Sequence, residues 1–319
     1  MNQSLKRWLF ALSTVAISST LLTGCIGDLT LQEVMKKNTE VAKKQTSAAF
    51  EMKGKHKISM SGMSMEQDLG LKMQTTLKPM SLHMDGSIKL MGKNIDMEAY
   101  ALDKNTYVKL SGIPNVPKSE QGWMKTTDFP EELEFDLNKY QEARAKFLDE
   151  ANKAFATFEK NPEVYTMKKE KDVYLLTFDS SKLKDPEKLK ETGKNLVEKL
   201  VETNPLLTPQ QKSDGKKGLD QLWKEQVWKD FKINNFKQVV TIDAKTFEVK
   251  KSDLNMKLTV KVEGQEATSE LDLKTEYKDA PTSPIQIPED VKKNAKDMDK
   301  MMPGLLEEAT LPATDNKKK

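Results

Sequence analysis

At 319 residues the chain is long enough for one large domain or two small ones. Its 37% hydrophobic and 32% charged residues make it polar for a globular protein, short of the composition of a disordered one. The 52 basic and 49 acidic side chains leave a formal net charge of +3, which gives no electrostatic reason to expect nucleic acid as a partner, and a single cysteine excludes an internal disulfide.

The chain opens with Lys6 and Arg7, followed by a mostly apolar run from Trp8 to Leu22. That run is about 15 residues, shorter than the ~20 a membrane-spanning helix needs, and has the layout of an export signal. It ends in Leu22-Thr23-Gly24-Cys25, which resembles the bacterial lipobox. The resemblance implies that residues 1–24 are a lipoprotein signal peptide and that Cys25 carries a diacylglyceryl group, often with a further palmitate-type chain on its new amino group. Two or three acyl chains anchor stably where one binds only marginally. The expected location is the extracytoplasmic side of the cell membrane, with the lipid bilayer as first partner.

After a short tether, Thr30 and Glu33 stand at capping-box spacing, and Leu31, Val34, Met35, Asn38, Val41 and Ala42 predict a helix over 31–47. From Phe50 to about Lys125 the pattern is that of strands, near 50–61, 63–77, 80–90, 94–102, 106–111 and 122–126. Turn signals such as Ser61-Gly62, Lys78-Pro79 and Met91-Gly92 separate them. In the second of these, Met63, Met65, Leu69, Leu71 and Met73 alternate with Ser64, Glu66, Asp68 and Lys72, so one face is apolar and the other polar.

A helical stripe follows in Leu137, Tyr140, Arg144, Phe147, Leu148, Ala151, Phe155 and Phe158, ending at Asn161-Pro162. A hairpin is expected over 164–178. Asp185-Pro186 and Thr208-Pro209 each start a helix. Strands return at 232–242 and 245–251. Leu254, Met256, Leu258 and Val260 then alternate with Asn255, Lys257 and Thr259, and beyond Gly264 Leu271, Leu273 and Tyr277 continue the pattern as the return arm of a hairpin. Pro288-Glu289 begins a last helix carrying Val291, Ala295, Met298 and Met302. The layout predicts a tether and helix over 25–49, a domain over 50–303 with helical inserts near 136–160 and 186–230, and a disordered tail over 304–319. With no βαβ rhythm, the fold class is α+β, built on an antiparallel sheet.

The lipobox, the long run of alternating strands, the strand–turn–strand from Val240 to Lys250 around Asp243-Ala244-Lys245-Thr246, and the closing Ile285 to Lys292 together resemble the LolA/LppX-like superfamily, as an uncharacterised lipoprotein of Gram-positive bacteria. The resemblance implies a strongly curved antiparallel half-barrel with helices packed on its concave face. It also implies an apolar space between sheet and helices, in which characterised members carry lipids or lipoproteins.

Ten of the 17 methionines lie between residues 52 and 124. Surfaces that fit varied apolar ligands over-use methionine, but it also fills ordinary cores, and both readings stay open. Met60, Met63 and Met65 with His56 resemble soft-metal clusters that hold Cu(I), yet Met63 and Met65 continue an apolar strand face, which puts core or groove ahead of metal. No nucleophile elbow, zinc helix or phosphate loop is present. His83 alternates with Leu82 and Met84 and is expected on the polar face. Trp123, Trp223 and Trp228 could line a sugar site, but core packing accounts for them as well. The expected function is therefore non-enzymatic and needs no cofactor and no metal: binding or carriage of a hydrophobic ligand, a lipid, lined by Met63, Met65, Leu69, Leu71, Met73, Leu254, Met256, Leu258, Val260 and Leu271. The alternative is a scaffold or sensor module that binds another cell-envelope protein.

Overall fold

The computed structural model describes residues 29–90, 92–102, 105–113, 121–126, 137–156, 158, 163–204, 207–262 and 264–297. The alternating segments become β1 (Ser47–Met60), β2 (Met63–Leu77), β3 (Met80–Leu90), β4 (Lys93–Leu102), β5 (Asn105–Ser111) and β6 (Trp123–Thr126). They are followed by β7 (Tyr165–Glu170), β8 (Val173–Asp179), β9 (Lys232–Asp243), β10 (Val249–Val262), β11 (Gln265–Lys278) and the two-residue β12 (Lys296–Asp297). All join one open sheet in the order β12-β6-β5-β4-β3-β2-β1-β11-β10-β9-β8-β7. Every pairing is antiparallel except β12 with β6. The two arms are closed in the middle by β1, which pairs with β2 on one side and with β11 on the other.

Residues directly opposite one another in a ladder share a face. The registers therefore carry one row across nine strands: Tyr165, Phe178, Gln238, Leu254, Leu273, Gly54, Leu69, Ile88 and Ile95. This apolar face is continuous from one arm to the other. At the β7–β9 end it is roofed by helices. Leu31, Val34 and Met35 of α1 (Leu31–Lys44) and Leu189 of α3 (Glu187–Thr203) pack with Phe158 onto Tyr165, Met167, Tyr174, Leu176, Phe178, Val240 and Ile242. The helix α2 (Leu137–Ala156) lies along α1, tied by Lys43 to Asp149 at 3.0 Å and by the Asn152 amide donating to Thr39 Oγ1 at 3.0 Å. Beyond it α4 (Pro209–Lys224) packs beside α3, and α5 (Gln226–Asp230) lies against β10. The fold is α+β: a curved, largely antiparallel sheet with helices packed on one face.

The expected capping box of Thr30 with Glu33 forms, Thr208, expected only as a helix start, forms a second one with Gln211, and Asp185 Oδ1 accepts from the Glu187 amide at 3.1 Å. The turn after β9 is held by Asp243 Oδ1, which accepts from the amides of Lys245 and Thr246 at 2.9 Å each; these bonds pull its carboxyl below the usual range.

Four features differ from expectation. First, α1 stops at Lys44 rather than 47, because Ser47 to Ala49 already pair with β2, and ladder pairing overrides the helix propensity of the alanines. Second, α1, expected as a helix ahead of the domain over 50–303, is part of its main core, where Leu31 and Val34 are fully buried. Third, the strands expected at 245–251 and 254–262 are one strand, β10, interrupted by a register shift between Val249 and Lys251. Fourth, the last helix, α6 (Glu289–Asn294), spans only six residues before β12, and Met298 and Met302 lie outside the described residues. The C-terminal segment crosses to the opposite face of the sheet. There Ile287 and Val291 pack on Tyr107, Leu102, Tyr100 and Trp123, and the Ile285 amide donates to Ser81 Oγ at 2.8 Å.

Candidate functional site: an open apolar sheet face

The ten residues expected to line a ligand site come from three strands, β2, β10 and β11, and the registers bring all ten to the helix-bearing face. Met256 stands opposite Leu271, Leu254 opposite Leu273, and Leu69, Leu71 and Met73 follow on β2 across β1. Their burial is graded along the strands. Met73 is buried with Phe50, Leu82 and Ala101, and Leu71, Met52 and Tyr277 pack against them. Met65, Leu69, Leu254, Met256, Leu258, Val260 and Leu271 are half-buried. At the hairpin tip Met63 is 71% exposed and Met60 40%, and on β3 Ile88 is 44% exposed. Long hairpins cause the gradient: β1 and β2 run 14 and 15 residues, past the point where the helices roof the sheet.

The two faces differ sharply in charge. On the far face, Lys55 reaches Glu66 at 2.9 Å and Lys257 reaches Glu270 at 2.7 Å. The lysine partners hold both glutamate carboxyls below the usual range. On the helix-bearing face, the described residues of β1 to β4, β10 and β11 include no Asp, Glu, Lys or Arg from Phe50 to Met60, Met63 to Met73, Leu82 to Ile88, Ile95 to Ala101, Leu254 to Val260 and Ala267 to Tyr277. Polar groups do occur on it, Gln238, Ser252 and Thr275 in one place and, nearer the hairpin tip, a group around His56. His56 stands directly opposite Gln67 on β2 and Leu271 on β11, and its Nε2 lies 2.9 Å from Ser269 Oγ. The periodicity of β1 places His56 on this face, but its partner is 213 positions away and was invisible in the sequence.

The methionines of the tip also share this face: Met60 stands opposite Met63, and Met65 opposite Ile58. The other polar atoms nearby are engaged, His56 with Ser269 and the Gln67 amide with Met65 Sδ at 3.9 Å. The expected result is that a Cu(I) chelator leaves the melting temperature unchanged. A loss of several degrees on chelation, with stoichiometric copper in the untreated protein, would instead assign the tip to a soft metal.

The histidine and tryptophan expectations resolve differently. His83 does lie on the face opposite Met84, but it is half-buried there, because its ring stacks on Tyr100 at 4.3 Å beside the C-terminal segment. Its Nε2 is 3.6 Å from Glu98 Oε1, which also accepts from the Tyr100 hydroxyl at 3.1 Å. Burial, with the nearby Glu98 charge, pushes the Tyr100 phenol up to about 12. Trp123 belongs to that cluster, 5.7 Å from Tyr100, whereas Trp223 and Trp228 pack against each other with tilted rings, centroids 4.3 Å apart, on α4 and α5. They do not form one sugar platform. A cleft of about 570 Å³ lies among α2, α3 and α4, lined largely by charged residues such as Glu150, Lys153, Lys199 and Glu202, away from the apolar face. Among the described residues no helix is long and apolar enough to cross a membrane. Cys25, the signal segment 1–24 and the tail 304–319 lie outside the described residues.

No curated protein matches the chain. It is similar to a solved DUF1329 family protein from Desulfovibrio piger, 11% identical, covering 79% of this chain and 94% of that one with a TM-score of 0.24. It is also similar to a β-barrel-like protein of domain of unknown function DUF1849 from Brucella abortus, 8% identical, covering 73% of this chain and 98% of that one with a TM-score of 0.20. Residues 30–296, from the N-cap of α1 to the first residue of β12, match a family of unknown function, DUF6612, and the chain belongs to that family.

Proposed function

We propose that the chain is a lipid-anchored, extracytoplasmic lipoprotein of the LolA/LppX-like kind that binds a hydrophobic ligand, a lipid, on the uncovered part of its apolar sheet face. The observation that carries the reading is the graded face itself. A strand face without charged side chains, exposed at Met63, Met60 and Ile88, leaves apolar area in water that a partner would remove. Each side chain fully buried there contributes about 1.5–3 kcal/mol. Methionines suit such a surface, because unbranched thioethers repack around ligands of varied shape. The role proposed is binding, with no reaction and no cofactor. Anchoring rests on the Leu22-Thr23-Gly24-Cys25 ending. Cys25→Ala is accordingly expected to abolish incorporation of labelled palmitate in growing cells; undiminished label in the variant would refute the anchor.

The chain from Ile26 onward contains every described element and is the form in which to test binding. Native mass spectrometry of that form, purified without detergent, is expected to show added masses of lipid that organic extraction removes. A homogeneous bare mass would favour the alternative, a module that binds another envelope protein. The helix-filled β7–β9 end favours that alternative, since there the face is already occupied by α1 and α3.

A further inference from the structure

We propose that His56, Ser269 and Gln67 form the receptor for the carboxylate of a long-chain fatty acid, whose hydrocarbon covers Ile58, Met65, Leu258 and Met63. This rests on the ligand-binding reading and assigns its chemistry. Polar side chains on an otherwise apolar surface cost stability unless something bonds them, and apolar groups in their place would pack at no such cost. Here three of them stand together. His56 and Gln67 are direct neighbours across β1 and β2, and Ser269 sits one step along β11, its Oγ already 2.9 Å from His56 Nε2. The His56–Ser269 bond spends one proton between them, so in either tautomer the pair keeps one donor, and the Gln67 amide keeps a second N–H beyond the one on Met65 Sδ; two donors at one point match the two oxygens of a carboxylate.

The sign of the charge follows from what surrounds the trio. Among the described residues of β1, β2, β10 and β11 beside it on that face there is no carboxylate to repel an anion, and His56 is the one side chain there with a basic nitrogen. Phosphate recognition characteristically uses Arg or Lys, and the strand residues beside the trio on β1, β2, β10 and β11 include neither. A carboxylate is the anion left. The tail has a matching place: from His56 toward the tip, Ile58 and Met65 stand opposite each other, half-buried, and Met60 and Met63 beyond them are exposed. Two residues along a strand advance about 6.6 Å on the same face, so a hydrocarbon chain running tipward covers these side chains in succession.

The test titrates the chain from Ile26 with oleate and with its uncharged methyl ester, by calorimetry below the concentration at which either aggregates. The wild type is expected to bind oleate at least roughly tenfold more tightly than the ester. His56→Phe and, independently, Ser269→Ala are expected to erase that preference while leaving ester binding and the thermal melt in place. Should His56→Phe fail to fold, Ser269→Ala and Gln67→Met carry the comparison. A preference that persists in the folded variants, or a wild type that binds both molecules equally, would overturn the assignment while leaving the ligand-binding reading intact. Tight binding of phosphatidylglycerol in place of oleate, lost in the same variants, would assign the trio to phosphate and overturn the carboxylate. Binding of none of the three would sink the ligand-binding reading itself.

Discussion

Leu176→Ala is expected to lower the unfolding free energy by about 2–5 kcal/mol, whereas Met65→Ala costs about 1 kcal/mol or less. Leu176 is 2% exposed and sits mid-strand on β8 under the helix layer, among Tyr165, Phe178, Val240 and α1. Truncating it removes buried methyl groups and leaves a cavity that a close-packed core closes only in part. Met65 occupies the same face of the same sheet but is half-buried near the β1–β2 tip, and its loss exposes little that was not already wet. Chemical denaturation of the two variants at matched slopes measures both numbers. Equal losses would mean that the tip is roofed as the β7–β9 end is, and the account of an open face would fall.

The second large effect separates neighbours in sequence. Met256→Asp is expected to cost about 2–4 kcal/mol, because it places an unpaired carboxylate between Phe236 and Leu271 on the apolar face. Lys257→Asp turns the other way. There it replaces the ion pair with Glu270 by a like-charge pair in an exposed position, expected to cost about 1 kcal/mol or less. Thermal melts and bound-lipid content of both variants form the readout. Similar melts would deny that β10 is half-buried. A Met256→Asp protein that folds but retains no lipid ties the face to the ligand.

The period-two pattern read from the sequence survived into the structure because nothing competes with it. Along β2 and β10 the large apolar residues alternate with polar residues or, at Gly70, glycine, so a strand that pairs in any in-phase register presents the same set to one face. That is why all ten candidate residues share a face although they come from three strands. The strand order was not legible. Alternation says which way Met52 and Leu273 point but not that β1 lies between β2 and β11, a pairing that joins Phe50 to Tyr277. Helix ends were legible where side chains cap them, as at Thr30 and Thr208, and misjudged at Lys44, where ladder pairing decides the boundary. The second apolar patch was missed for a related reason. Ile287 and Val291 lie in a segment too short for any period, and only the crossing of the chain to the far face gives them Tyr107 as a partner. Of the polar trio, one strand supplies His56 and another Ser269; each reads alone as an interruption of an apolar pattern, and only their pairing makes a site.

The central claim is that a ligand occupies the open part of the apolar face. Methyl-labelled methionine in the chain from Ile26 reports on it directly, since Met63, Met65 and Met256 lie on that face while Met35 and Met167 are buried in the helix-covered core. On addition of a spin-labelled fatty acid, the methyl resonances of Met63, Met65 and Met256 are expected to shift or broaden, while those of Met35 and Met167 hold. Unperturbed signals from all five, or changes confined to Met35 and Met167, would contradict the account.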